Sequence, residues 1–270
     1  MYVCNQKITM EYPLTAINSG AKIGKDVKID PFVTIHDNVV IGDGTWIGSN
    51  VTIMPGARIG KNCKIFPGAV ISAIPQDLKF ADEDTTAEIG DNTTIREFVT
   101  INRGTKALNK TVVGSDCLLM AYVHVAHDCV VGNHCILANG VTLAGHIVID
   151  DFAIIGGLSA VHQFVHIGSH VMISGGSLVR KDVPPYTKSA REPLSYVGIN
   201  SVGLRRRGYT DEQVARIQEI YRILFTKGYS SSKAIQIIET ELQPSKERDE
   251  IMEFVKTSTR GIMRGYFNEK

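Results

Sequence analysis

An aliphatic residue recurs at every sixth position through most of this chain. In the register that starts at Ile17 and ends at Val179, 25 of the 28 positions are Ile, Leu or Val. A spacing of six matches neither the 3.6-residue turn of an α-helix nor the simple alternation of a hairpin strand. Short, regular repeats are typical of solenoids, so this pattern restricts the architecture before any motif is considered.

The hexapeptide spacing predicts a parallel β-helix with a triangular coil, in which each side of the triangle is one hexapeptide. The aliphatic residue fills the prism, and a second inward position two residues earlier holds a small or β-branched side chain, as at Ala21, Val27 and Thr45. Gly and Asn near the corners permit the positive φ that tight turns require. A sandwich of short strands is disfavoured because its turns would be spaced irregularly.

The register breaks at three positions, Asp77, Glu83 and Ala107. The surrounding segments, about 72–88 and 102–112, are polar, and the repeat resumes in phase after each of them. We therefore expect two loops or imperfect coils that leave the prism and return to it. Excursions of this kind usually carry the function of a solenoid.

Composition excludes several classes of function. The chain has 270 residues and a formal net charge of +1, which does not favour nucleic acid or a membrane surface as a partner. We expect no secretory signal and no membrane span, because the N-terminus and the apolar runs lack the required patterns. Of five cysteines, Cys63, Cys117, Cys129 and Cys135 occupy the small inward position of the repeat. Buried, unpaired thiols are typical of a reducing cytoplasm, which is the predicted location.

The repeat is predicted to end near residue 180, because the prolines at 184 and 185 donate no ladder hydrogen bond. From about 200 the apolar spacing becomes helical. Thr210 to Gln213 form a capping-box pattern, Ser230 starts a second helical segment, and Ser245 starts a third. The predicted fold is thus an all-β repeat domain, 1–199, followed by a C-terminal helical domain, 200–270.

Candidate chemistry lies among four histidines, His124, His127, His146 and His162. Three hexapeptides make one coil of 18 residues. One coil beyond His127 is position 145, beside His146, and two coils beyond is position 163, beside His162, so three imidazoles are expected along one edge of the prism. Strands stack about 4.8 Å apart, which puts these rings within roughly 10 Å. Asp128, directly after His127, is a candidate orienting carboxylate.

Two chemistries use clustered histidines of this kind. Neutral imidazoles on neighbouring coils can bind Zn²⁺, as in the hexapeptide-repeat carbonic anhydrases, or one histidine can act as general base on a hydroxyl that attacks a thioester. A prism without catalytic function is a third interpretation. The helical segment, Lys79 and Gln163 are not needed by a zinc hydrase, so the residues favour acyl transfer and leave the hydrase as the alternative.

Several motifs together are similar to one family, the UDP-N-acetylglucosamine 3-O-acyltransferases of lipid A biosynthesis. The matching segments are 76–79 (QDLK), 101–105 (INRGT), 124–129 (HVAHDC), 143–146 (LAGH), 161–164 (VHQF), 182–186 (DVPPY), 203–208 (GLRRRG) and 258–261 (STRG). The resemblance spans nearly the whole chain. It implies a homotrimer of left-handed β-helices that moves an (R)-3-hydroxyacyl group from acyl carrier protein to the glucosamine 3-hydroxyl, with sites between subunits.

The resemblance also implies roles for individual residues. His127 would be the general base, Asp128 would hold its imidazole, and the Gly145 N–H would stabilise the oxyanion. Gly175 and Met172 would limit the acyl groove, and a glycine at 175 implies a long-chain donor. No cofactor, no metal and no acyl-enzyme are implied. The implied substrate-binding residues are Gln76, Asp77, Lys79, His124, His146, His162, Gln163, Arg206 and Arg207.

The chain departs from the family pattern at two positions. Asn102 stands where several relatives have histidine, and Val202 stands where relatives often have an acid near the nucleotide. The related N-acyltransferases of lipid A synthesis carry an additional N-terminal uridine-binding domain. Here the hexapeptides begin by Ile17, which leaves no room for that domain before them.

Overall fold

A computed structural model describes residues 12–265, and its strands follow the hexapeptide register. Most strands contain two residues, an outward one and an inward one, as in Thr34 and Ile35. The inward residues form a continuous apolar core in which Ile53, Ile95 and Leu137 are completely buried. Since each short strand buries only one aliphatic side chain, the core depends on stacking many coils.

Three sheets form the faces of the prism. The strands of the first sheet are Ala16–Ile17, Thr34–Ile35, Thr52–Ile53, Val70–Ala73, Thr100–Asn102, His124–Val125, Thr142–Leu143, Ala160–Val161 and Leu178–Val179. Those of the second are Lys22–Ile23, Val40–Ile41, Ala57–Ile59, Thr86–Ile89, Lys110–Val113, Val130–Val131, Val148–Ile149 and His166–Ile167. Those of the third are Lys28–Ile29, Trp46–Ile47, Lys64–Ile65, Thr94–Ile95, Leu118–Leu119, Ile136–Leu137, Ile154–Ile155, Met172–Ile173, Thr187–Ala190, Ser195–Ile199 and Arg264–Gly265.

Strand pairing confirms the coil length and both excursions. Thr52 pairs with Val70, which lies three hexapeptides further along the chain. Val70 in turn pairs with Thr100, five hexapeptide lengths away, and Thr100 pairs with His124, four lengths away. The chain leaves the prism between Ala73 and Thr86 and again between Asn102 and Lys110. Residues 74–85 are called the first excursion below, and residues 103–109 the second.

The three edges of the prism position the side chains that matter for function. Edge I joins the first sheet to the second, edge II the second to the third, and edge III the third back to the first. Most of the turns at these edges contain one residue of positive φ, such as Asp128 (58°) at edge I and His134 (56°) at edge II. Both excursions leave from edge I, because each connects a strand of the first sheet to one of the second.

The C-terminal segment contains four helices: α1 (Ser201–Arg206), α2 (Asp211–Phe225), α3 (Ser231–Glu241) and α4 (Lys246–Thr257). The predicted capping box is present, with Thr210 and Gln213 bonding each other's backbone N–H. Ser230 and Ser245 cap α3 and α4 as predicted. Sequence reasoning missed the short helix α1, which is too short to show a helical period.

The junction between the repeat and the helices is interlocked. An antiparallel pair, Thr187–Ala190 with Ser195–Ile199, extends the third sheet, and Leu194 and Met263 close the end of the prism core. Tyr186 instead belongs to the second apolar cluster, with Leu204 and Ile217. The domain boundary at 199 and 200 stays a prediction.

Within residues 12–265, no helix is both long enough and apolar enough to cross a bilayer. Cys63, Cys117, Cys129 and Cys135 are free and buried in the prism, as the repeat predicted. Cys4 lies outside the described residues.

Candidate functional site

His127 and Asp128 form a buried pair at edge I. The Nδ1 of His127 lies 2.8 Å from Oδ2 of Asp128, and their side chains are 9% and 0% exposed. An ionised carboxylate only accepts hydrogen bonds, so Nδ1 carries the proton and Nε2 is left as the acceptor. This is the tautomer that a general base requires.

Asp128 is held by four hydrogen bonds, two on each oxygen. Oδ1 accepts from the backbone N–H groups of Thr105 (3.0 Å) and Leu108 (3.1 Å), and Oδ2 accepts from Thr105 Oγ1 (2.7 Å) and from His127. Burial by itself raises the pKa of the Asp128 carboxyl, but the bonds from His127, Thr105 and Leu108 outweigh it and lower the pKa below its ordinary value. The carboxylate is therefore ionised and fixed in orientation.

Gly145 and His146 lie one coil beyond the pair. A Cβ at Gly145 would approach His127 Nε2 to 2.8 Å and Cε1 to 2.6 Å, so only glycine leaves space for this imidazole. The ring of His146 stands edge-on to that of His127, with ring centres 5.1 Å apart, and stacks on Phe164 at 4.7 Å. The third ring of the column is thus Phe164, because one further coil beyond His146 arrives at position 164 and not at His162.

His124 is the first residue of the first-sheet strand His124–Val125 and is close enough to His127 to be affected by it, whereas His162 directly follows the strand Ala160–Val161, where edge I begins. Thr100 Oγ1 lies 2.7 Å from Nδ1 of His124, which leaves Nε2 as the free ring nitrogen. Burial, and to a smaller extent His127, lower the pKa of His124, so this imidazole is neutral at neutral pH. His162 is exposed, and its Nδ1 lies 3.1 Å from the carbonyl oxygen of the neighbouring Gln163.

The first excursion carries Gln76, Asp77 and Lys79, which places them at edge I on the coils before the histidines. Asp77 Oδ1 accepts from the Lys79 backbone N–H at 3.0 Å, so this carboxylate shapes the turn, while the Lys79 side chain is exposed. Asn102 is 2% exposed and donates from Nδ2 to the carbonyl of Ile74 at 3.1 Å. Asn102 therefore anchors this excursion to the first sheet.

The remaining predicted residues lie on other parts of the molecule. Arg206 is exposed on α1, and Val202 is exposed on the same helix. The guanidinium of Arg207 lies over the ring of Phe152 at 5.2 Å, on edge II. Gly175 and Met172 are exposed at the third sheet and edge III. A single chain thus brings the histidines and Gly145 together at edge I, and the first excursion leaves the prism at the same edge. The arginines and the predicted acyl-groove residues lie elsewhere.

Sequence reasoning missed Thr100, Thr105 and Leu108. Thr105 lies in the segment 101–105 that matches the family, and this match was the one sequence feature that could have pointed to it. Its contact with Asp128 depends on the path of an irregular excursion, which the sequence pattern does not predict. Leu108 contributes a backbone N–H, which carries no sequence signature.

The donor atoms of His127, Asp128 and His146 lie within 4.8 Å of one another, which is close enough for the three to bind one metal ion. All four lone-pair positions of the Asp128 carboxylate already accept hydrogen bonds. A metal ion would have to displace one of them. The donor set therefore fits an orienting carboxylate better than a metal site.

Two family models match the chain. One described as "Udp N-acetylglucosamine O-acyltransferase; Domain 2" matches residues 182–263, and one described as "Bacterial transferase hexapeptide (six repeats)" matches residues 20–45, 38–73 and 110–145. The second supports the repeat that was identified from spacing, and the first covers the junction and the helices.

Curated relatives carry the name acyl-(acyl-carrier-protein)–UDP-N-acetylglucosamine O-acyltransferase. One from Thiobacillus denitrificans is 39% identical over 94% of this chain and 98% of its own length. One from Sulfurovum sp. is 44% identical over 93% and 96%. One from Myxococcus xanthus is 48% identical over 72% and 76%.

Solved structures give the same result. A UDP-N-acetylglucosamine acyltransferase from Bacteroides fragilis superposes with a TM-score of 0.93 at 52% identity, covering 94% of this chain and 99% of that one. The corresponding protein from Francisella novicida gives 0.91 at 41% identity, with coverage of 94% and 93%. With the hexapeptide repeats, these matches confirm a left-handed parallel β-helix followed by helices. The chain therefore belongs to the family of UDP-N-acetylglucosamine O-acyltransferases and is an acyltransferase.

Proposed function

We propose that this protein transfers an (R)-3-hydroxyacyl group from acyl carrier protein to the 3-hydroxyl of the glucosamine unit of UDP-N-acetylglucosamine, the first step of lipid A biosynthesis, in the cytoplasm. The observation that carries the proposal is the buried His127–Asp128 pair, whose free Nε2 lies beside Gly145 in a chain of this family. The names of the relatives supply the two substrates.

In the proposed reaction, His127 Nε2 removes the proton of the sugar 3-hydroxyl, and the hydroxyl oxygen attacks the thioester carbonyl carbon. The carbonyl π electrons move to oxygen, and the tetrahedral oxyanion then collapses, breaking the C–S bond. The imidazolium returns its proton to the departing thiolate, which restores His127. Asp128 keeps Nδ1 protonated and stabilises the positive ring.

The oxyanion is proposed to accept a hydrogen bond from the Gly145 N–H. Gly145 is buried at edge I, and no residue from 12 to 265 accepts from its N–H. Preorganised backbone donors of this type contribute several kcal/mol to acyl transfer. The same glycine therefore has two roles, since it also leaves space for the imidazole.

Direct transfer without an acyl-enzyme agrees with the environment of the nearest thiol. Cys129 follows Asp128, but its side chain points into the prism and its Sγ lies 3.0 Å from the carbonyl of Ala144. Burial raises the pKa of the Cys129 thiol to about 12, so it remains protonated and unreactive.

The sugar nucleotide is proposed to bind Gln76, Asp77 and Lys79 of the first excursion, together with histidines of edge I. His124 offers one free ring nitrogen for a substrate hydroxyl, because Thr100 holds the other. Arg206 and Arg207 would bind at the nucleotide end, where guanidinium suits phosphate oxygens. Arg206 is exposed, whereas Arg207 is already packed against Phe152. The other proposed contacts are His146, His162 and Gln163.

A homotrimer with sites between subunits would explain why these groups lie on different edges. His127 is at edge I, Arg207 packs on edge II, and Gly175 is at edge III. One prism cannot turn three edges toward one ligand, whereas neighbouring prisms around a threefold axis can bring different edges together. Co-expression of His127→Ala and Arg206→Ala subunits would then restore about a quarter of the sites by random assembly. Failure to restore activity would contradict sites shared in this way.

Gly175 is proposed to end the acyl groove, with Met172 beside it, so that a long-chain donor is preferred. Gly175 is exposed, and an added Cβ would lie 3.1 Å from the carbonyl of Gly157. A larger side chain would therefore occupy the space above that carbonyl. The Gly175→Met variant should prefer shorter donors than the native protein does.

The test is to incubate the protein with UDP-N-acetylglucosamine and a series of 3-hydroxyacyl carrier proteins, and to identify the product by mass spectrometry. We expect an O-acylated sugar nucleotide, formed equally well after treatment with EDTA. Absence of product with every donor would contradict the proposal. Loss of activity on chelation, restored by Zn²⁺, would contradict the metal-free mechanism and favour one that uses a zinc ion at the histidines.

A further inference from the structure

The second excursion forms a clamp around the carboxylate of Asp128. Three of the four hydrogen bonds to this carboxylate come from residues 103–109, and Thr105 alone supplies two of them, one to each oxygen. Thr105 is 8% exposed and the Asp128 side chain is fully buried. Water therefore cannot readily replace these donors if they are lost.

The clamp has a closed shape of its own. The Asn109 N–H donates to the carbonyl of Thr105 at 2.7 Å, and the Ala107 N–H donates to Thr105 Oγ1 at 3.2 Å. Gly104 packs so tightly that a Cβ would lie 2.3 Å from the backbone nitrogen of Lys110. The position of the Thr105 hydroxyl is thus fixed by backbone on both sides.

The clamp is also joined to the base of the first excursion. Thr85 Oγ1 donates to the Gly104 carbonyl at 2.6 Å, and the Gly104 N–H donates to the Thr86 carbonyl at 3.1 Å. At the other end of the excursion, the Arg103 N–H donates to the Ala73 carbonyl at 2.9 Å. Both ends of the segment that carries Asp77 and Lys79 are therefore bonded to the segment that holds Asp128.

We propose that Thr105 is a positioning residue for acyl transfer: its hydroxyl orients the Asp128 carboxylate, which in turn fixes the tautomer and direction of the His127 imidazole. The inference rests on the proposed role of the His127–Asp128 pair. Thr105 touches neither substrate nor the reacting atoms in this mechanism. Its loss therefore lowers the rate of the chemical step and leaves substrate binding intact.

The test compares Thr105→Val, which keeps the shape and the backbone bond but removes the hydroxyl, with Thr105→Ser, which retains the hydroxyl. We expect Thr105→Val to lower kcat at least tenfold, because small misplacements of catalytic groups carry costs of this order. KM for both substrates should stay within about twofold, and Thr105→Ser should recover kcat to within about threefold. The ¹H resonance of the His127 Nδ1–H in the substrate-free protein should shift in Thr105→Val and return in Thr105→Ser.

Thr93→Val is the matched control. Thr93 is a buried threonine, as Thr105 is, and its hydroxyl donates to the Gly114 carbonyl at 2.7 Å on a different edge. It should leave kcat and the His127 resonance unchanged. The proposal is overturned if Thr105→Val retains native kcat and resonance, or if Val, Ser and the control lose activity alike with lower melting temperatures. A native protein without acyltransferase activity would instead contradict the proposed function, and the resonance would still report whether Thr105 orients the pair.

Discussion

Edges I and II carry similar ring columns with opposite chemical character. At edge I, His127 and His146 are followed by Phe164, and at edge II, His134, Phe152 and His170 stack with ring centres 4.6 and 4.9 Å apart. Both columns arise from the same three-hexapeptide coil, but His127 lies one residue before the left-handed turn residue Asp128, whereas His134, Phe152 and His170 themselves occupy that turn position. Residue type therefore does not distinguish a candidate catalytic histidine from a structural one.

The difference lies in what covers each edge. At edge II, the C-terminal segment packs on the rings: Tyr186 continues the stack, Tyr209 stands against His170, and Arg207 lies over Phe152. Burial, together with the nearby charges of Arg207 and Lys246, lowers the pKa of His170 to about 4 although Asp151 opposes the shift. His170 is thus a neutral packing residue at physiological pH.

At edge I, both excursions leave the prism, and the second of them packs on the pair. It supplies three donors to Asp128, and Asp128 orients His127. A histidine becomes a candidate base here because a buried, ionised carboxylate fixes its tautomer. At edge II, no carboxylate from residues 12–265 bonds His170, whose Nε2 faces the Tyr209 hydroxyl. Four substitutions test this contrast, in order of decreasing expected effect.

His127→Ala should lower kcat by about 10³-fold, since general-base catalysis contributes 10²–10⁴-fold. His134→Ala, which removes a ring at edge II, should leave kcat within about twofold. Steady-state kinetics with the carrier-bound donor measures both. Equal losses in the two variants would mean that edge I has no special chemical role.

Asp128→Asn should lower kcat by about 10²-fold, because the amide can present a donor to His127 Nδ1 and favour the wrong tautomer. The variant also places an NH₂ group among donors from Thr105 and Leu108, so circular dichroism should establish that the fold is retained. Native activity in a folded variant would remove the carboxylate from the proposed mechanism.

Gly145→Ala should lower kcat by about tenfold to 10²-fold, because the new methyl group forces the His127 ring to move. Gly20→Ala is a suitable control. The atom nearest to its new Cβ would be the Asn18 side-chain oxygen, at 3.3 Å, and the next nearest would lie at an ordinary van der Waals distance. Kinetic comparison of the two, with melting temperatures, separates a local effect on the base from general destabilisation of the prism.

His170→Phe should alter the pH dependence of stability without abolishing activity. Below the ordinary histidine pKa of about 6.5, this histidine is protonated in the unfolded chain, whereas in the folded protein His170 stays neutral until the pH reaches about 4. Stability therefore falls as pH drops from about 6.5 to about 4, and the melting temperature of native protein should fall by a few degrees more than that of His170→Phe. His36→Gln serves as the control. If the melting temperature of His170→Phe depended on pH as steeply as that of the native protein, His170 would not be the buried, neutral histidine described above.

Much of the fold was predictable because a hexapeptide repeat is a local pattern. The inward aliphatic positions, the return of the register after both excursions, and the caps at Thr210, Ser230 and Ser245 were predicted and confirmed. The approach of His146 to His127 followed from the coil arithmetic, and the pairing of His127 with Asp128 followed from their adjacency in the sequence. The third ring is Phe164 and not the predicted His162. The two positions are two residues apart, which is the distance from the turn back to the end of the strand.

The sequence by itself determined the prism, the edge that carries the histidines and the places where the chain leaves the repeat, because each follows from periodicity and short-range turn preferences. Only the tertiary structure decided which oxygens of Asp128 are bonded, that Thr105 and Leu108 bond them, and that Tyr186 and Tyr209 cover His170. Those contacts join residues about 20 or more positions apart through irregular backbone. Irregular backbone has no period, so its final position depends on packing against the completed coil.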